Sequence, residues 1–123
     1  MPNTSIKCLL ALNWLLALTG LGWAQDIVVG KTEYLSSCAA CHGEDAKGDG
    51  VLRSVLKVPP ADLTMLARRN DGHFPIAAVT EVIDGRTFIA AHGTREMPIW
   101  GFDVKVRNSI PAIVDYLNHL QVP

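Results

Sequence analysis

Two thiols and an imidazole fall within one helical turn of this chain, in Cys38-Ala39-Ala40-Cys41-His42, and no other run of residues restricts its fold so tightly. Positions i and i+3 of a helix share a face, so both sulfurs point one way, and the imidazole at i+4 from Cys38 stands beside them. The chain has three cysteines, and Cys8 lies in an apolar N-terminal segment, which leaves Cys38 and Cys41. That pair is too close together to staple distant parts of a fold and must act locally. A redox dithiol shares this spacing, but it sits in a strand–helix setting within an α/β fold, and strand signals are weak here. A zinc site needs further Cys or His ligands at matching spacing, and there is no second Cys-x-x-Cys. The remaining reading is covalent haem c attachment. Both thiols reach vinyl groups on one side of a porphyrin, and His42 projects towards the iron.

The segment before this turn divides the chain. Lys7 gives a short positive region, residues 8–18 are apolar apart from Asn13, and Gly22-Trp23-Ala24 offers small residues where a signal peptidase acts. The apolar run is shorter than the ~20 residues of a membrane span. We therefore expect residues 1–24 to be a signal peptide cleaved after Ala24, leaving residues 25–123 as a single domain in the periplasm. With Lys7 removed from 11 Lys+Arg against 12 Asp+Glu, the mature chain carries two net negative charges. That balance argues against nucleic acid or an anionic membrane surface as partner, since both call for a basic face.

Four helical segments can be read in the remainder. The first covers residues 29–41, with Gly30, Tyr34 and Cys38 along one side and Gly43 as its stop. Residues 44–50 form a polar, glycine-punctuated loop. Asp62 caps a short segment running to Arg68. Pro75, as a first helical residue, opens residues 76–83, with Ile76, Val79 and Ile83 on one face, and Asp84-Gly85 closes it. The last helix is capped by Ser109, carries Pro111 in its first turn, and has a stripe of Ile110, Ile113, Val114, Leu117 and Leu120 flanked by Tyr116. The expected fold is all-α, with a loop over residues 86–108 too long to be idle in so small a protein. A bound cofactor is the simplest organiser for it.

With these residues in place, the chain resembles the class I monohaem cytochromes c over residues 28–121. Cys38, Cys41 and His42 match the attachment motif, Gly30 and Tyr34 resemble the N-terminal helix, and Tyr116 and Leu120 resemble the helix that crosses it. The resemblance implies the cytochrome c fold, about four helices round one covalent haem c, and the activity of an electron carrier rather than an enzyme. It also implies a distal methionine. Met97 lies in the long loop and is followed by Pro98, as in the family pattern, and a thioether favours Fe(II). His92, in the same loop, is the alternative ligand. Met65 reads as core, and His73 and His119 as surface.

The family also uses a proline carbonyl to accept the proximal histidine's Nδ1–H, a role open to Pro59 or Pro60. Arg86 or Trp100 is expected to meet the haem propionates, with Trp100 equally readable as a lid on the core. If protein ligands fill both axial positions, electrons pass through an exposed haem edge to and from redox partner proteins, a dehydrogenase as donor and an oxidase or another cytochrome as acceptor. Two other readings stay open: a subunit of a periplasmic dehydrogenase complex, and a five-coordinate haem sensor or enzyme.

Overall fold

Two long helices cross near their middles, and the remaining elements are arranged against that crossing. The computed structural model describes residues 20–86 and 97–123, with side chains described from residue 26 onward. Helix α1 is Gly20–Ser37, α2 the single turn Ala39–His42, α3 Ile76–Asp84 and α4 Val104–His119. Short 3-10 turns lie at Arg53–Val55, Leu63–Met65, Arg68–Asn70 and Trp100–Phe102. No strand occurs among the described residues, and none of their helices is long and apolar enough to cross a membrane.

The α1–α4 crossing follows from small and aromatic residues spaced four apart on each helix. A Cβ at Gly30 would fall on the Ala112 carbonyl of α4, so only glycine permits this approach. One turn further on, the Tyr34 and Tyr116 rings meet with centroids 5.5 Å apart, tilted by 54°. Tyr34 and Ile113 are fully buried, and Val106, Ile110, Val114 and Leu117 are nearly so. These α4 residues recur at the helical repeat, and the expected stripe is the core.

Three boundaries differ from the sequence expectation. The first helix reaches back to Gly20, across the expected cleavage position, and pauses at Cys38 before α2. The final helix begins at Val104, inside the stretch read as loop. Its cap is Asp103, whose carboxylate accepts from the Lys105 and Val106 amides at 2.9 and 3.1 Å. Ser109 is an interior residue donating its hydroxyl to the Lys105 carbonyl at 3.1 Å, and Pro111 stands inside the helix. Burial of Val106, one turn before Ile110, outweighs the bond a mid-helix proline removes. In α3, Pro75 is the cap rather than the first helical residue. Ile83 is buried and Val79 packs against the core, but Ile76, at the start of the same face, is 53% exposed.

The connection from Gly43 to Pro75 is irregular and is held mainly by hydrogen bonds. Asp62 caps the Leu63–Met65 turn as expected, accepting from the Thr64 amide at 2.9 Å and its hydroxyl at 2.6 Å. At the C-terminal end, Gln121 bridges to the same segment. Its amide donates to the carbonyls of Leu63 (2.8 Å) and Leu117 (2.7 Å), and its oxygen accepts from the Ala67 amide at 2.8 Å.

Candidate haem site

Helix α2 is so short that its geometry depends on what surrounds it. Gly43 ends it at φ 84°, a left-handed conformation that favours glycine. The chain then turns back along the attachment turn. The amides of Gly48, Gly50 and Leu52 donate to the carbonyls of His42, Cys41 and Ala40 at 2.7, 3.1 and 2.9 Å. From the other side, the buried Tyr34 hydroxyl donates to the Gly43 carbonyl at 2.7 Å. The backbone carrying both cysteines and the histidine is therefore fixed by α1 and by the returning loop together.

Cys38 and Cys41 are both partly buried and are not joined to each other. Before attachment, burial, followed by the negative charge of Glu33 and the nearby Cys41, pushes the Cys38 thiol up to about 12. Ala40 is exposed and Ala39 packs against the core, which orients the turn. The His42 ring is oriented through Nδ1, which lies 3.1 Å from the Ala61 carbonyl oxygen. A carbonyl only accepts, so in this contact Nδ1 carries the proton and Nε2 keeps its lone pair. Burial lowers the His42 pKa below its ordinary value, and the Ala61 bond partly opposes this. A neutral imidazole results, the form that binds a metal.

The acceptor for His42 is thus Ala61, not Pro59 or Pro60. Pro59 is exposed, and Pro60 precedes the residue that does the work. A backbone carbonyl can come from any residue. What the two prolines contribute is a restricted, extended approach to Ala61.

Met97 and Trp100 are partly buried and pack against the core cluster that Cys38 and Ala39 also touch. Met65 is partly buried, and His73 and His119 are exposed. Arg86 is largely exposed and its guanidinium pairs with Asp84 at the end of α3. Trp100 opens the 3-10 turn at Trp100–Phe102 and faces core residues, in keeping with its reading as a lid. His92 lies outside the described residues. Three contacts escaped the sequence reading: the Tyr34 hydroxyl on Gly43, the Ala61 carbonyl on His42, and a buried carboxylate at Glu33 paired with Lys105. Nothing in the local sequence announces the last of these, which needs α4 to be folded against α1.

These residues suit a covalently held haem. Two unpaired thiols three residues apart and an imidazole with one nitrogen already committed are the donor set that such a group needs. An all-helical shell built round that turn defines a haem protein of the c type. The chain belongs to the cytochrome c family, whose model matches residues 27–121. No curated protein and no solved structure matches it. Its cofactor is haem c, bound through Cys38 and Cys41, and the work of the family is haem-based electron transfer.

Proposed function

We propose that this cytochrome is a one-electron carrier of the periplasm, with His42 and Met97 as axial ligands and with cleavage after Ala24 releasing residues 25–123. The observation that carries the reading is the His42–Ala61 hydrogen bond, which presents Nε2 of a neutral ring. It is supported by Met97, a soft ligand partly buried against the same core as Cys38. Haem supplies a reversible one-electron change at iron, and the axial ligands help set its potential. The chain's own tasks are to hold the ligands, to keep water from the site and to present an edge to redox partner proteins, a dehydrogenase as donor and an oxidase or another cytochrome as acceptor.

A visible spectrum with a redox titration, on the wild type and on Met97→Ala, tests the ligand set. The expected result is a methionine–iron charge-transfer band in the oxidised wild type, lost in the variant together with a fall in potential. An unchanged spectrum would transfer the ligand role to His92. Rapid carbon monoxide binding by the reduced wild type at neutral pH would replace the carrier reading with a five-coordinate sensor or enzyme. Mass spectrometry of the exported protein reads the cleavage position directly.

A further inference from the structure

Glu33 is a carboxylate in a place where charge is costly. It is 6% exposed, one of two buried polar residues among those described, and it sits on α1 next to Tyr34. One carboxylate oxygen accepts from the hydroxyls of Ser37 at 3.2 Å and Ser36 at 3.3 Å. The other meets the Lys105 ammonium of α4 at 3.2 Å. A clamp between two helices would explain the contact but not the choice of residues, because such pairs add little stability over apolar side chains of similar volume. The partners are also unequal: the Glu33 side chain is 8% exposed and that of Lys105 is 74% exposed. Water screens the ammonium far more than the carboxylate, so the pair leaves a net negative field on the protein side.

That charge stands beside the haem tether. Its carboxylate is held by the hydroxyl of Ser37, the residue next to Cys38, and the Cys38 amide donates to the carbonyl of Tyr34, the residue next to Glu33, at 2.8 Å. We propose that Glu33 is a fixed negative charge beside the Cys38 attachment that stabilises the oxidised haem and lowers its reduction potential, with Lys105 as an exposed, partial counterweight. The assignment rests on the carrier reading for its purpose, but only on covalent attachment at Cys38 for its physics. Glu33 is a positioning residue here and touches no reacting atom.

Equilibrium redox titration of the holoprotein tests it. Glu33→Gln keeps the shape and an acceptor for Ser36 and Ser37 while removing the charge. Its ferrous-to-ferric ratio at fixed potential should rise threefold to tenfold, a midpoint higher by about 28 to 59 mV at 59 mV per decade for one electron. Glu33→Asp, which retains the charge, should stay nearer the wild type than Glu33→Gln. Lys105→Gln, at an exposed position that tolerates change, should move the midpoint the opposite way by a smaller amount. An unmoved or lowered midpoint in Glu33→Gln overturns the proposal, as does Glu33→Asp shifting as far as Glu33→Gln. Should Glu33→Gln fail to yield holoprotein, Lys105→Gln decides alone, and a midpoint that stays or rises is the overturning result. The methionine–iron band, followed in every sample, separates this outcome from the ligand assignment: its absence in the wild type defeats the His42–Met97 reading whatever Glu33 does.

Discussion

The α1–α4 crossing and the connection over residues 43–75 lie side by side yet are held by different means. The crossing is direct packing, with Gly30 against the Ala112 backbone, Tyr34 on Tyr116, and Ile113 and Val114 sealed from water. The connection has few buried apolar groups and exposes Val51 at 85% and Val55 at 74%. Its order comes from amides given to the attachment turn and from the bridge made by Gln121. A region closed by packing stands largely on its own. A region closed by hydrogen bonds to the attachment turn depends on that turn being filled.

The largest test of this contrast removes the covalent anchor. Replacing Cys38 and Cys41 together by alanine should abolish porphyrin-linked mass and lower the melting temperature well below that of the holoprotein. In the same sample, hydrogen exchange at Gly48, Gly50 and Leu52 should accelerate far more than exchange in α4. Equal loss of protection in both regions would break the comparison. Gly30→Val attacks the other side. A branched side chain against the Ala112 backbone should cost about 3 kcal/mol, read as a shift in denaturant midpoint.

Intermediate effects come from single polar contacts. Tyr34→Phe leaves the Gly43 carbonyl without its donor and should cost about 1–2 kcal/mol, with the haem still attached. Asp62→Ala removes a cap and should cost about 1 kcal/mol at neutral pH. Hydrogen bonding from the Thr64 hydroxyl holds the Asp62 carboxyl below its ordinary 3.8. Because the folded value is the lower one, this stabilisation is complete above pH 3.8 and is lost as the pH falls through the folded value. The gap between wild type and Asp62→Ala should therefore close in strong acid. Smallest of all is Ser109→Ala, expected within 0.5 kcal/mol of the wild type, whereas Asp103→Ala should cost about 1 kcal/mol. Equal losses at both positions would return the cap of α4 to Ser109.

The same contrast explains what could be read before any coordinates. Periodic burial is written along the chain, so Ile110, Ile113, Val114 and Leu117 declared the core face of α4, and Gly30 with Tyr34 declared that of α1. The attachment turn was readable because its chemistry fits in five consecutive residues. Boundaries were less so. Proline is common in first turns, and a serine two residues earlier made a plausible cap, which hid the first six residues of α4, the buried Val106 among them. Ile76 matched the α3 pattern but has no neighbour to cover it. Ala61 was missed by one or two positions because its function lies in a carbonyl that every residue owns. Glu33 belongs to no motif or apolar stripe, and only α4, folded back from the far end of the chain, reveals its partner.

Gln121 has a consequence in time as well as in space. It meets Ala67 and Leu63 from 54 and 58 positions away. Closures that span so much chain tend to come late, since entropy is lost before any bond repays it. A polypeptide delivered from its N-terminus presents both cysteines before the residue that latches the 63–67 segment has emerged. The tail is therefore expected to fasten last, after the turn that carries both thiols has formed.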